Sequence, residues 1–365
     1  MSARAVWFTA TAVTITGCSH LYQAEDVDQW QAIGTIPAQR LPVASLAFSS
    51  DGKRLLSTHA GLFAHNERPQ LLFHPAGVMR IWDLRMDGFL WASEMLAARS
   101  IRGLKFHQIP MEPGSSEGRV VVQDGDTTSI VACDMAKLEW STEQSNVSIA
   151  DVSSDGRYRA DLRSSGDYDS VRFTDSESGA FHDAAAAGSL SWPWGFLGTA
   201  FYCVEDGHNT DFHDLRIWDA TSGESITSLR LAHDPFYIAL SPGVSGGFHA
   251  ASAEYESATF EVVHVGIPKH TFELTVESGT IHGLAISPQG DLVAVCGEDD
   301  IKDAEVGFVE IRDIDTGTRI SRTIDDSSWG ITAVAFSPDG KQLAAGTAAG
   351  EILFLQPRST TPGNL

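Results

Sequence analysis

A short turn motif recurs along the chain at a nearly regular interval, and this repetition limits the possible folds more than any other feature. The motif is Ser-x-Asp-Gly followed by Lys or Arg; full copies begin at Ser49, Ser153 and Ser337, and weaker copies begin at Ser241 and Ser287. An Asp that caps its own turn and a Gly that accepts a positive φ are the residues that a tight β-turn requires. Each copy therefore predicts two antiparallel strands joined by a tight turn.

Each of the five copies follows an apolar stretch, and two further apolar stretches align with these five although they lack the turn. Seven stretches therefore align. Their last residues are spaced 44 to 58 residues apart and are Phe48, Phe106, Val152, Phe196, Leu240, Ile286 and Phe336. Intervals of this size indicate a repeat architecture with one supersecondary unit per repeat.

A second pattern follows most of these stretches: alternating apolar and polar residues that end in Asp. Clear copies end at Trp82-Asp83, Trp218-Asp219 and Arg312-Asp313, and the last two place a Gly four residues after the Asp. Period-2 alternation between turns predicts strands, and no long helical periodicity occurs beyond the first 17 residues. Each repeat is therefore predicted to be a four-stranded antiparallel meander.

These motifs resemble the WD-repeat family and its bacterial relatives with Ser-Pro-Asp-Gly turns. Trp82-Asp83 and Trp218-Asp219 match the family's signature dipeptide, and the resemblance covers roughly residues 30–355. The resemblance implies an all-β fold, a seven-bladed β-propeller of four-stranded antiparallel blades. The family's Gly-His pair ahead of the first strand is not evident, so its buried His–Ser–Asp–Trp network is not expected in most blades.

The last repeat ends one strand early, after the apolar run from Ile352 to Leu355. We expect the N-terminal stretch from Trp30 to Ile36 to supply the missing outer strand, because this pairing would cover an aggregation-prone sheet edge. The propeller is therefore expected to span residues 30–355, and residues 356–365 are expected to form a disordered tail.

The N-terminus resembles that of bacterial lipoproteins. Arg4 precedes a short apolar run, and Ile15-Thr16-Gly17-Cys18 has the form of a lipobox, in which the Cys is lipidated and becomes the new N-terminus. The resemblance implies a signal peptide over residues 1–17, a linker over 18–29 and a location in the bacterial cell envelope. Ser19 is compatible with the outer membrane of a Gram-negative host, so the protein would face the periplasm or the exterior. The alternative is a cytoplasmic protein with an ordinary Cys18.

Charge and cysteine content exclude several classes of protein. The formal net charge of −23 argues against a nucleic-acid partner and against membrane contact other than through the lipid anchor. Cys133, Cys203 and Cys296 are widely spaced in apolar runs, so we expect buried thiols rather than a disulfide or zinc site.

Long insertions predict which face binds a partner. In a four-stranded meander, the turns after strands one and three share one face, here called the tight-turn face. The insertions at 60–77, 205–214 and 297–307 fall on the opposite, long-loop face, whereas 107–118 falls on the tight-turn side. Long loops often carry function, so the long-loop face is the expected binding face. The alternative is that these insertions accumulated by chance on a surface that binds nothing.

One aligned position at the mouth of the long-loop face carries side chains that are frequent at interfaces. This first-strand column lies four residues before each anchor and reads Ala44, Arg102, Ser148, Trp192, Phe236, His282 and Thr332. We predict that Arg102, Trp192, Phe236 and His282, with the nearby Trp329, bind an envelope protein or peptide, because Arg and aromatic residues dominate interface energetics. The alternative is that the aromatic members pack between blades. A monomer is expected.

Metal and catalytic chemistry have weaker signals. The segment that contains His208, Asp211, His213 and Asp214 has nitrogen and oxygen ligands for a metal. The run Glu298-Asp299-Asp300, with Asp303 and Glu305, has oxygen ligands for calcium. No hydrolase elbow, zinc-protease motif, phosphate loop or dinucleotide fingerprint is present. We therefore expect no enzyme activity and no cofactor beyond a possible structural ion. A metal-dependent hydrolase or lactonase-like propeller, with its site on the long-loop face, is the alternative.

The lipoprotein signal yields the first testable prediction. Cys18→Ser should move the protein from the membrane fraction to the soluble fraction, because the acylated thiol would be absent. Cys133→Ser is the matched control and should leave the fractionation of whole cells unchanged. Membrane association that survives Cys18→Ser would count against lipidation.

Overall fold

The computed structural model describes most of the chain from residue 29 onward. The described residues are 29–37, 41–49, 51–59, 78–84, 90–96, 106–109, 117–124, 127–134, 139–147, 151–153, 156–164, 169–186, 188–206, 213–242, 247–254, 257–265, 270–276, 278–301, 304–326 and 330–358. No helix in these ranges has the length and apolar character needed to cross a membrane. The expected signal peptide and most of the linker lie outside them.

The described residues form 28 strands in seven four-stranded antiparallel sheets, which confirms the all-β prediction. Strand β1 is Trp30–Ile36. Sheet I contains β2 (Val43–Phe48), β3 (Arg54–His59), β4 (Val78–Asp83) and β5 (Leu90–Leu96). Sheet II contains β6 (Phe106–Ile109), β7 (Glu117–Asp124), β8 (Thr127–Asp134) and β9 (Glu139–Val147). Sheet III contains β10 (Asp151–Val152), β11 (Tyr158–Ser164), β12 (Asp169–Asp175) and β13 (Phe181–Ala185).

The remaining sheets follow in chain order. Sheet IV contains β14 (Ser189–Leu197), β15 (Ala200–Asp206), β16 (His213–Asp219) and β17 (Ser225–Arg230). Sheet V contains β18 (Tyr237–Pro242), β19 (Phe248–Ala253), β20 (Thr259–Val265) and β21 (His270–Thr275). Sheet VI contains β22 (Thr280–Ile286), β23 (Leu292–Ile301), β24 (Ala304–Asp313) and β25 (Arg319–Asp325). Sheet VII contains β26 (Ile331–Phe336), β27 (Leu343–Thr347) and β28 (Ile352–Pro357), with β1 as its fourth strand.

The tight turns have the local chemistry that the motif predicts. In the first copy, the hydroxyl of Ser49 donates to Asp51 Oδ1 at 2.7 Å, and the amide of Lys53 donates to the same oxygen at 3.0 Å. Gly52 adopts φ of 68°, a left-handed conformation that costs Gly little. The turn thus pairs its own polar groups and sets the register of the two flanking strands.

The apolar cores lie between neighbouring sheets. One cluster joins Val43, Leu55 and Trp82 of sheet I to Ile352 and Phe354 of sheet VII. Comparable clusters join sheets III and IV, IV and V, V and VI, and VI and VII. The first strand of each sheet contacts the first strand of the next, in the order β2, β6, β10, β14, β18, β22, β26 and back to β2. This arrangement is consistent with a propeller.

The N-terminal strand pairs with the last strand of the chain. Strand β1 runs antiparallel to β28, with Trp30 opposite Pro357 and Ile36 opposite Ile352. Trp30 is buried and packs edge-on against Phe336, with ring centroids 6.0 Å apart. Strand β28 extends two residues beyond the expected boundary at Leu355, because Gln356 and Pro357 pair with β1 rather than starting the tail.

The segment 297–307 differs from its prediction. We expected a long irregular loop, but β23 and β24 continue through it as a paired hairpin, with Glu298 opposite Gly307 and Ile301 opposite Ala304. Glu298 and Asp299 lie opposite Gly307 and Val306, and only Asp300 lies opposite another acidic residue, Glu305, so most of the pairs carry a single charge.

A buried hydrogen-bond chain in sheet I resembles part of the family network. The indole Nε1 of Trp82 donates to Ser57 Oγ at 2.8 Å, and Ser57 Oγ lies 2.8 Å from His59 Nε2. His59 Nδ1 lies 3.2 Å from the carbonyl oxygen of Leu41, on the segment that enters β2. A Gly-His pair is absent here, so the histidine comes from the end of β3 instead.

Two of the three expected buried cysteines are described. Cys203 and Cys296 are buried and are not in disulfides, and burial raises the pKa of the Cys296 thiol. The side chain of Cys133 lies outside the described part of the chain.

The pairing of β1 yields a stability prediction. Trp30→Ala should lower the free energy of unfolding by about 3–5 kcal/mol, because it removes a large buried side chain between β1 and Phe336. Gln31→Ala is the control on the same strand, since Gln31 is exposed and should change stability by about 0.5 kcal/mol or less. Urea denaturation followed by tryptophan fluorescence measures both, and equal effects would contradict the role of Trp30.

His59 yields a pH prediction. Burial lowers its pKa to about 4, below the value of about 6.5 expected in the unfolded chain. Its contribution to stability is therefore complete above pH 6.5 and is lost as the pH falls toward 4, because the unfolded chain takes up a proton first. Between pH 7 and 4.5 this loss should reach about 2–3 kcal/mol.

The test compares the pH dependence of unfolding in three proteins. His59→Gln should remove the loss of stability between pH 7 and 4.5 that is assigned to His59, whatever the substitution does to stability at pH 7. His182→Gln, at an exposed position of β13, should retain it. An unchanged pH dependence in His59→Gln would show that another group is responsible.

Candidate interaction surface

At four of its seven positions, the first-strand column coincides with a β-bulge. The register shifts between Val43 and Ser45 in β2, between Ile281 and Gly283 in β22, and between Ile331 and Ala333 in β26. The extra residue at each shift is the column member: Ala44, His282 or Thr332. In β14 the shift lies between Ser191 and Trp194, which includes Trp192. A bulge frees a residue from the ladder and redirects its side chain, and bulges are frequent beside functional sites.

Among the column residues whose side chains the structure describes, Phe236 is the exposed aromatic one. It directly precedes β18, where its amide donates to the carbonyl of Ala253 at 2.9 Å. Its side chain is 44% exposed and meets Tyr237 edge-on, with ring centroids 5.0 Å apart. Phe236 is therefore held in place by its backbone and its neighbour while it presents apolar area to solvent.

His282 lies beside a carboxylate at the start of β22. Its Nε2 is 3.6 Å from Glu298 Oε2, and Glu298 stands on β23 opposite Thr280. Gly330 lies just before β26 of the next sheet and packs against Glu298. A Cβ added to Gly330 would lie 3.3 Å from the Cβ of Glu298. The imidazole and carboxylate thus form a polar site at the junction of sheets VI and VII.

Thr332 has a structural role instead. Its hydroxyl lies 2.6 Å from the carbonyl of Val43 and 3.2 Å from that of Gly346, and a single proton serves these two acceptors. This contact joins sheet VII to sheet I. Ala44, at the corresponding place in β2, is exposed but has only a methyl group to offer.

Part of the predicted site lies outside the described residues. Arg102, Ser148 and Trp329 are not described, and only the backbone of Trp192 and Trp194 is described. Their proposed contacts with a partner remain predictions. The structure brings Phe236, His282 and Thr332 to the starts of the first strands, at the same face.

Other exposed apolar side chains lie on outer strands. Ile33 is on β1, Phe181 on β13 and Ile226 on β17, each the fourth strand of its sheet. The guanidinium of Arg172 lies 4.0 Å above the ring of Phe181 and covers part of it. These positions are scattered along the outer edges, whereas Phe236 adjoins the column.

The predicted metal ligands of sheet IV do not converge in the described part. His208 and Asp211 lie outside it. The Nδ1 of His213 is 2.7 Å from Asp206 Oδ1. Asp214 is the next residue of β16, so its side chain points to the opposite side of the sheet, where it accepts a hydrogen bond from Arg230 Nε at 2.5 Å.

The calcium interpretation of the acidic run on β23 is wrong for Asp299. Its carboxylate is buried and accepts hydrogen bonds from Arg322 Nη2 at 2.8 Å and from Ser278 Oγ at 2.5 Å. Arg322 also donates to Glu310 Oε2 at 2.9 Å, and Glu310 accepts from Arg312 Nε at 2.6 Å. Two carboxylates and two guanidinium groups therefore neutralise one another at the junction of sheets V and VI.

Sequence reasoning missed the partners of the column residues. Glu298 is paired with Thr280 across the β22–β23 ladder, and its register follows from the tight turn at Ser287. Counting outward from that turn could have placed Glu298 beside His282. The approach of Gly330 had no such signal, because it depends on how two sheets pack.

Comparison with protein-family models identifies one of the repeats. Residues 319–353 match the family model described as WD domain, G-beta repeat, from the start of β25 into β28. No curated protein matches the chain. The match supports the WD-repeat resemblance over this segment.

Proposed function

We propose that the protein is a non-enzymatic scaffold, a closed seven-bladed propeller that binds a protein or peptide on its long-loop face. The observation that carries this proposal is an exposed aromatic side chain, Phe236, in the same first-strand column as His282, whose imidazole lies beside the carboxylate of Glu298 on β23. WD-repeat proteins generally act as interaction scaffolds, and the match over residues 319–353 supports that comparison.

Ring closure is supported by two features. First strands contact one another in an order that returns from β26 to β2, and β1 completes the sheet that contains the C-terminal strands. A ring leaves no open sheet edge between its first and last blades, so contact with partners is directed to its faces.

The chemistry of the column indicates what kind of segment it would bind. Phe236 and Tyr237 would pack against an apolar or aromatic side chain, and Glu298 beside His282 would accept a hydrogen bond from a cationic group. The net charge of −23 favours a basic partner, since complementary charge accelerates association and selects among partners. We therefore propose a partner segment that combines an apolar anchor with Lys or Arg.

The proposal places the protein in the bacterial cell envelope as a monomer held by lipid at Cys18. Its support is the lipobox-like sequence from Ile15 to Cys18 and the short apolar run before it. An envelope protein or peptide is accordingly the proposed partner.

Affinity measurements test the binding face. The full chain is used to isolate a partner from envelope extract, the partner is identified by mass spectrometry, and its affinity is measured with purified components. Phe236→Ala and His282→Ala should each weaken binding about tenfold or more, as expected for central interface residues. Both should melt within a few degrees of the wild type, because Phe236 is exposed and His282 lies in a bulge.

The matched control is Phe181→Ala, which removes an equally large exposed ring from an outer strand. It should leave the affinity unchanged. Equal losses in Phe181→Ala and Phe236→Ala, or no loss in either column variant, would refute the long-loop face as the binding face.

A further inference from the structure

Two histidines and an aspartate meet on the tight-turn face, where the sequence predicted no site. His249 and His264 are directly opposite each other on β19 and β20, and their rings meet edge to face with centroids 4.5 Å apart. Asp315 comes from the turn between β24 and β25 of the next sheet. One potential ligand atom from each of the three residues lies within 4.8 Å of the other two.

His249 is the buried member of this cluster. It is 8% exposed, and its Nδ1 is buried without a hydrogen-bond partner in the described structure. A neutral imidazole has a lone pair for a metal, and a buried polar nitrogen without a partner is costly and uncommon.

Gly290 makes room for this ring. It belongs to the tight turn of sheet VI, and a Cβ at this position would lie 3.3 Å from His249 Cδ2 and 2.8 Å from the carbonyl of Pro242. The glycine therefore allows the turn of sheet VI to close over the histidine of sheet V.

The hydrogen bond of His264 determines which of its nitrogens can bind a metal. Its Nε2 lies 3.2 Å from the carbonyl oxygen of Ile314, and a carbonyl can only accept, so Nε2 carries the proton. In the neutral ring, Nδ1 then has a lone pair, and it lies 3.6 Å from Asp315 Oδ1. A backbone carbonyl that orients a histidine in this way is typical of metal-ligating imidazoles.

We propose that His249, His264 and Asp315 form a binding site for a divalent transition-metal ion of the zinc class. Two imidazoles and one carboxylate are a ligand set that Zn²⁺ accepts, with a fourth position left for water, whereas Ca²⁺ and Mg²⁺ prefer oxygen ligands. The side chain of Asp315 is 74% exposed, so it is free to move the remaining distance to the bond lengths of about 2.0–2.2 Å that Zn²⁺ requires. The ion would join sheets V and VI through side chains.

Metal titration of the full chain tests the site. After treatment with a chelator, the protein is titrated with ZnCl₂ alone by isothermal calorimetry and by thermal denaturation. The wild type should bind one equivalent through this cluster and melt at a higher temperature with zinc. Co²⁺ should give the visible absorption of a four-coordinate nitrogen and oxygen site, without the charge-transfer band of a thiolate ligand.

Two variants and a control locate the ion. His264→Gln and Asp315→Asn should each weaken this binding at least tenfold; Asp315→Asn should not perturb folding, because its side chain is exposed in a turn. His182→Gln removes an exposed histidine of β13, outside the cluster, and should bind zinc as the wild type does.

The proposal is overturned if no stoichiometric zinc binding occurs, or if Asp315→Asn and His264→Gln bind zinc as tightly as the wild type. Either result would mean that these three side chains do not form a metal site.

Discussion

The structure depends on burying both faces of each sheet against a neighbouring sheet. A single four-stranded sheet of this kind has two apolar faces and two edges, and cannot bury them alone. The clusters between sheets supply that burial, and the one between sheets VII and I joins the two ends of the chain. Pairing of β1 with β28 and the contact of Thr332 with Val43 act at this same junction. Residues nearly 300 positions apart therefore hold the first and last repeats together.

The same junctions determine what the polar residues can do. Asp299 and Glu310 are buried between sheets V and VI and are matched by Arg322 and Arg312, so they stabilise the packing and are not free to bind an ion. A buried charge without a partner would be strongly destabilising there. His249, at the other end of the same junction, has a buried nitrogen without such a partner. The convergence of three ligand atoms on this unmatched nitrogen is the physical basis for proposing a metal ion beside His249 and none beside Asp299.

The proposed binding face results from bulges in otherwise regular strands. In β2, β14, β22 and β26, a bulge lies near the start of the first strand, where that strand pairs with the second strand of its sheet. The side chain at the bulge is released from the in–out alternation of the strand, so its identity is less constrained by packing. His282 can therefore differ from Ala44 and Thr332 at equivalent places without disrupting the sheets, and Phe236 lies just before the paired residues of β18.

Local sequence was sufficient for the turns, the strands and the four-stranded unit. The Ser-x-Asp-Gly copies pair their own backbone groups within five residues, so their geometry needs no help from the rest of the fold. The alignment on these turns also placed Phe236 and His282 in one column, because a turn sets the register of its strand. The hairpin at 297–307 was missed, because its pairing depends on two strands continuing past the point where apolar alternation weakens.

Contacts between sheets were decided only by the tertiary structure. Asp299 looked like a calcium ligand in the sequence because Arg322, its partner, is 23 residues away on another strand. His249, His264 and Asp315 showed no motif because they come from two sheets, and only the packing of one tight turn on the next brings their ligand atoms together. Sequence determines what each repeat is, since the relevant interactions are local; the pairing of side chains across repeats requires the packed sheets, since no local signal encodes it.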